Sequence, residues 1–171
     1  MTQATNETGI APEAFFAIMS RFATGVGIVT TLDADGAPKG LTSSAVCSVS
    51  ADPPLLLVCV DRTSRTLPTL LGTAEWVVNF LGADRHAISA LFAGKGDDKF
   101  RDISWRPALN GMPWLHQDAV SHAACRTVQT IEAGDHVVII GRVESGEITP
   151  GIEQPLVYYQ RGYHALDTKQ R

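Results

Sequence analysis

The chain has 171 residues, 44% hydrophobic and 19% charged, which is enough for one globular domain with a real core. A net charge of -4, from 14 basic and 18 acidic residues, leaves no basic stripe and argues against a nucleic-acid partner. Met1 to Gly9 is polar with no signal-peptide core, and no apolar run approaches the roughly 20 residues of a membrane helix.

Residues 1–11 are expected to form a tail. Phe15, Ile18, Met19 and Phe22 follow i, i+3, i+4, i+7, so a helix with one apolar face is predicted over 12–22, with Pro12 in its first turn. Gly25 to Leu32 is rich in β-branched residues and reads as a strand. Asp33-Ala34-Asp35-Gly36 then signals a hairpin turn. Leu41 to Val49 and Leu55 to Val60 read as two strands separated by Pro53-Pro54. A short helix is predicted over 64–71, with Ser64 as its N-cap and Gly72 as its stop, although Pro68 argues against a long one.

Trp76 to Leu81 is a further strand and Asp84 to Phe92 a helix with Ile88, Leu91 and Phe92 on one side. Gly94 to Asp98 is a loop, and 101–119 is irregular around Pro107, Gly111 and Pro113. Ala123 to Ile131, His136 to Glu144 and Leu156 to Gln160 complete the strands. Short helices scattered among strands, without strand–helix alternation, argue against a doubly wound sheet and favour a closed or partly closed antiparallel barrel. With no repeat and no linker, one domain over 12–166 is expected, followed by a tail at 167–171.

Two segments carry candidate chemistry. Thr42, Ser43 and Ser44 place three hydroxyls beside a strand, where they can meet a phosphate with nearby backbone N–H groups; they also suit an ordinary polar sheet edge. In Asp61-Arg62-Thr63-Ser64-Arg65-Thr66, Ser64 and one arginine at the start of a helix would form a second anion-binding wall, or equally an N-capped surface turn. Both lie where a strand ends, and that coincidence favours a phosphate site over either segment alone. Ala45, Val46 and Cys47 are slim enough for a flat ring to rest on. Gly134-Asp135-His136 puts a histidine at the mouth of a buried strand, held by the sheet and reachable from solvent.

Other chemistries find little support. His86, His116, His122, His136 and His164 form no zinc pattern, Gly94-Lys95-Gly96 is no P-loop, and Gly25-Val26-Gly27 lacks the third glycine of a dinucleotide fingerprint. No metal is expected. Cys47, Cys59 and Cys125 have no paired spacing and read as reduced thiols of a cytoplasmic protein.

Taken in order, Phe22-Ala23-Thr24-Gly25-Val26, Leu41-Thr42-Ser43-Ser44, Cys47-Ser48-Val49-Ser50-Ala51-Asp52-Pro53-Pro54, Asp97-Asp98-Lys99-Phe100, Gly134-Asp135-His136, Gly141-Arg142-Val143 and Pro155-Leu156-Val157-Tyr158 resemble the flavin reductase-like domain family. The resemblance covers roughly residues 12–166 and rests on the ordered set rather than on any one stretch. It implies a mainly β, FMN-binding split β-barrel of Greek-key type with a few short helices, working as a homodimer. It implies reduction of FMN or FAD by NADH or NADPH, with the reduced flavin passing to a separate monooxygenase. By motif position, Thr42, Ser43 and Ser44 would contact the flavin phosphate or ribityl chain, and Ala45, Val46, Cys47 and Ser48 would run along the isoalloxazine. Ser64, with Arg62 or Arg65, would complete the phosphate end, and His136 would face the nicotinamide as the catalytic candidate. Arg161 and Tyr163 would cover the site. The competing readings are a split-barrel oxidase with tightly bound FMN and a non-catalytic flavin- or haem-binding protein of the same fold.

Overall fold

The computed structural model describes residues 9–166, so the expected tails fall outside the described residues except for 9–11. Helix α1 (Pro12–Met19) carries Pro12 in its first turn and stops short of Phe22. The N–H groups of Arg21 and Phe22 bond three residues back, to Ile18 and Met19, and this tightening ends the helix. The predicted strand over 25–32 is divided at Val26. Strand β1 (Thr24–Gly25) pairs with a late strand, whereas β2 (Gly27–Leu32) enters the main sheet.

The Asp33 turn forms as predicted, its carboxylate accepting the N–H of Asp35 at 3.1 Å and of Ala37 at 2.8 Å. Next come β3 (Pro38–Ser43), β4 (Val46–Ala51) and β5 (Pro54–Asp61). The single strand predicted over 41–49 is thus two, interrupted at Ser44 and Ala45.

Helix α2 (Leu67–Thr73) begins later than predicted, because Pro68 has no N–H and fits only a first turn. Ser64 is not its cap: Thr66 holds the N-cap position, without a side-chain cap bond. Gly72 lies inside the helix, which ends at Ala74 in the left-handed region, φ 58°. The chain continues through β6 (Glu75–Leu81), α3 (His86–Ala93), the two-residue strands β7 (Arg106–Pro107) and β8 (Pro113–Trp114), then the long β9 (Ala119–Ala133) and β10 (His136–Ile148). It closes with β11 (Leu156–Tyr159) and β12 (Gly162–Ala165). Strands β7, β8 and β12 are additions to the sequence reading. The 101–119 stretch is held by Asn79, whose side-chain oxygen accepts the Leu115 N–H at 2.8 Å while its nitrogen donates to the Ile28 carbonyl at 3.1 Å.

Every strand pairing is antiparallel. The main sheet runs β3-β2-β6-β9-β10-β5-β4, and a smaller one β1-β11-β12. Strands β3 and β4 are the two edges of the seven-stranded sheet, yet only Ser44 and Ala45 separate them in sequence. At no more than about 3.6 Å per residue, that link holds the edges within about 11 Å of each other. The sheet therefore curls into a barrel that stays open between β3 and β4, a split barrel.

Inside the curl, alternate residues of β5 (Leu56, Val58, Val60) and β10 (Val137, Ile139) meet Trp76, Val78, Cys125 and Val29. Trp76 is completely buried, and its indole N–H donates to the Thr127 hydroxyl at 3.0 Å. A second cluster packs α3 against the outside of the barrel through Ile28, Leu81, Phe92, Leu115 and Leu156. Helix α1 buries none of its residues, and Phe15, Phe16, Ile18, Met19 and the following Phe22 are 45% to 65% exposed.

Gly141 allows the barrel to close around Trp76: a Cβ there would lie 2.5 Å from the indole ring and 3.1 Å from the Cys125 Cβ. Gly141→Ala is expected to cost about 1–3 kcal/mol in urea denaturation, as overpacking does in tight cores. Parent-like stability would show that Trp76 has room to shift.

Candidate functional site

The split is lined by the segments that carry candidate chemistry. A cavity of about 520 Å³ opens there. Its first wall is the end of β3 and the link, Thr42, Ser43, Ser44 and Ala45. The second is the end of β5 and the turn after it, Asp61 with Thr63, Ser64, Arg65 and Thr66. The C-terminal end of α3 and the following loop, with Phe92, Gly94, Lys95 and Lys99, form the third. His136 completes it from the first position of β10, directly opposite Asp61 in the β5–β10 register.

The hydroxyls do different work. Thr42 Oγ1 donates to the Ser89 carbonyl of α3 at 2.7 Å, so its hydrogen is already engaged. Ser43 is buried and its Oγ accepts the Ala45 N–H at 3.1 Å, folding the chain through the link. Ser64 Oγ accepts the Thr66 N–H at 3.3 Å. Ser43 and Ser64 are acceptors in these turns, so each keeps its own hydrogen for an anion. Ser44 and Ala45 are exposed at the open edge.

Asp61 accepts both the N–H and the hydroxyl of Thr63, at 2.6 and 2.7 Å. Thr63 is the largest cause that holds this carboxyl below its usual range, with His136 and Lys95 adding smaller attractions. His136 Nδ1 lies 2.7 Å from an oxygen of Asp135. An ionised carboxylate only accepts, so in neutral His136 the hydrogen sits on Nδ1 and Nε2 is left as the acceptor.

Lys99 is the element that sequence reasoning missed. Its Nζ donates to the Phe92 carbonyl at 2.7 Å and to the Gly40 carbonyl at 3.2 Å, tying the end of α3 to β3. Burial is the main cause that lowers its pKa, and the like charge of Arg65 adds to the effect. Lys99 belongs to the stretch Asp97-Asp98-Lys99-Phe100, but nothing local announces a lysine that reaches back 59 residues to Gly40.

A second cavity of about 510 Å³ adjoins the first and shares Ser44 and Ala45 with it. It is mostly apolar, with Phe16, Met19, Phe22 and Tyr158 beside Thr24 and Arg161.

Of the predicted site residues, Thr42, Ser43, Ser44, Ala45, Ser64, Arg65 and His136 come together around the first cavity, and Arg161 lines the second. Arg62 does not line either: its side chain pairs with Glu132 at 3.5 Å and its N–H bonds the Asp135 carbonyl. Val46, Cys47 and Ser48 run along β4 and line neither cavity. Tyr163 also lies outside both, with its hydroxyl 3.0 Å from Ser89 Oγ and its ring 5.4 Å from that of Tyr158.

The three thiols are free and differ in environment. Cys47 is exposed on β4. Burial raises the pKa of Cys59, with a smaller contribution from Cys47, and Cys125 is pushed up to about 12, chiefly by burial. Thiol titration at pH 8 should therefore label Cys47 first, Cys59 slowly and Cys125 only after denaturation. Labelling of Cys125 in the native protein would contradict the closed core around Trp76.

Comparison with known proteins gives a consistent assignment. A family profile described as "Flavin reductase like domain" matches residues 19–167. The chain is 47% identical to a flavin reductase (NADH) of Kitasatospora aureofaciens, over 88% of this chain and 80% of that one. It is 31% identical to the flavin-dependent monooxygenase reductase subunit HsaB of Mycobacterium tuberculosis, over 92% of this chain and 84% of that one. Among solved structures, the flavin reductase PheA2 superposes with a TM-score of 0.83 at 33% identity, covering 92% of this chain and 99% of the other.

Proposed function

Because the chain belongs to the flavin reductase like domain family, we propose that it reduces a flavin with NADH or NADPH and that the split of the barrel is the flavin site. The observation that carries this reading is the chemistry of the two joined cavities. One is apolar and aromatic, lined by Phe16, Phe22 and Tyr158; the other offers hydroxyls and cations from Ser43, Ser64, Arg65 and Lys99. They meet at Ser44 and Ala45, where a flat ring would pass into a polar tail. That donor set fits a ring joined to a ribityl phosphate.

A flavin bound here, with a nicotinamide beside it, would supply the chemistry, hydride transfer to flavin N5. The chain supplies position. Arg65 and the free hydroxyl hydrogens of Ser43 and Ser64 hold the phosphate. The small side chains of Ser44 and Ala45 let the ring approach the backbone. His136, oriented by Asp135, presents Nε2 to the carboxamide end of the nicotinamide and acts as a positioning group. Arg161 closes the apolar side.

The proposal includes a homodimer. The uncovered apolar face of α1, which lines the apolar cavity, and the exposed Val128 and Ile131 of β9 are surfaces that a second copy would bury. It also includes a separate monooxygenase as the consumer of the reduced flavin, on the analogy of the relative named as a reductase subunit. A cytoplasmic setting fits three unpaired thiols. Among the described residues no helix is long and apolar enough to cross a membrane.

The test is NADH and NADPH oxidation at 340 nm by purified protein, with FMN, FAD, riboflavin or no flavin added. Oxidation that requires added flavin is expected; none with any pair, despite flavin binding, contradicts the proposal. His136→Ala should raise the nicotinamide KM or slow hydride transfer by about tenfold, the worth of one good hydrogen bond, and leave flavin affinity intact. Unchanged kinetics would remove His136 from the site.

A further inference from the structure

The phosphate end of the larger cavity does not stop at Arg65. A third cleft, about 220 Å³, continues from it and shares Arg65, Thr66 and Lys99 with it. Its remaining wall is Pro38, Lys39, Gly40, Gly96, Asp97 and Phe100. We propose that this cleft takes the outer phosphate and the adenosine of the flavin, so that the chain prefers FAD to FMN. The proposal rests on the flavin reading of the larger cavity.

Three observations carry it. The first is order. The apolar cavity joins the hydroxyl-rich one at Ser44 and Ala45, and that one joins the basic cleft at Arg65, Thr66 and Lys99. Ring, polyol phosphate, second phosphate with nucleoside is the sequence of groups along FAD, and FMN ends at the middle one.

The second is charge. FMN concentrates its negative charge on one phosphate, whereas FAD spreads it over two joined phosphates. The cations here are spread in the same way: Arg65 and Lys99 face both spaces, and Lys39 stands only in the outer one. Arg65 is close enough to oppose the charge of Lys99, an effect that Asp97 offsets with a smaller attraction, and a further anion beside them would relieve it. Lys99 uses two of its three N–H donors on the Gly40 and Phe92 carbonyls and keeps one. Asp97 is the carboxylate on this wall, and it is engaged by the Arg65 guanidinium. Lys39 is partnered by Asp33 at 3.3 Å, outside the residues that line the cleft.

The third is an apolar surface among these charges. Pro38 and Phe100 are half-buried on the wall, and Phe100 is fixed edge-on against Phe92 at 5.0 Å between ring centres. A purine has a face to lay on such a surface. Gly96 leaves the mouth open, since a Cβ there would meet nothing within 4 Å.

Calorimetric titration of the purified full chain with FAD, FMN and riboflavin tests this, alongside Lys39→Glu and Gly96→Phe. Both substitutions lie on the outer cleft and leave the barrel core untouched. The parent should bind FAD about tenfold more tightly than FMN, a difference of roughly 1.4 kcal/mol. Each variant should erase most of that preference while keeping the FMN and riboflavin affinities and the parent's melting temperature. Equal affinity of the parent for FAD and FMN overturns the proposal and leaves the flavin site standing. So does a variant that raises the KM for NADH or NADPH while FAD affinity holds, because the cleft then serves the nicotinamide dinucleotide. A parent that binds no flavin overturns this inference together with the reading beneath it.

Discussion

Two residues, Ser44 and Ala45, join the opposite edges of a seven-stranded sheet. The rest of the molecule follows from that short link. Edges so close oblige the sheet to curl, and the curl needs an interior of alternating apolar side chains around Trp76. Because β3 and β4 do not pair, the barrel keeps an open seam. Unpaired edges are a liability in most sheets. Here the seam is bordered by the link, the turn after β5 and the end of α3, and it opens as a groove. The same two residues form the boundary between its apolar and polar parts.

The groove is held from behind. Thr42 bonds the Ser89 carbonyl, Thr66 Oγ1 bonds the Gly40 carbonyl at 3.2 Å, and Lys99 joins Gly40 to Phe92. Helix α3, the turn before α2 and strand β3 are thereby fastened to one another by side chains that face backbone carbonyls. Ser43 and Ser64 line the groove with hydroxyls that accept in their turns, and donors left unspent on a braced frame suit an anion. Register does the same for His136, placed opposite Asp61 by the β5–β10 ladder and oriented by Asp135.

Much of the architecture was legible in the sequence because period-2 runs, turn residues and proline positions are local signals. The antiparallel barrel and the Asp33 turn follow from them. The start of α2 was misplaced at Ser64, because a serine before a helix looks like a cap while Pro68, which fits only a first turn, sets the true start at Leu67. The break at Ser44–Ala45 was not legible: a hydroxyl-rich strand and two strands with a polar joint have the same composition, and only the sheet order separates them. Cys47 and Ser48 look like continuations of the site by sequence, yet they follow β4 away from the cavities. Arg62 and Arg65 were equivalent by spacing; the ladder turns Arg62 to Glu132 and leaves Arg65 at the groove. Lys99 acts over a long separation, and no local pattern encodes that.

The central claim is that flavin binds at the seam between β3 and β4. Hydrogen–deuterium exchange with and without saturating flavin tests it most directly. Slower exchange in peptides covering 42–46, 61–66 and 92–99, together with the apolar wall at 16–24 and 158–161, is the result this account predicts. Protection elsewhere, around 108–112 for instance, with those segments unchanged, would contradict it.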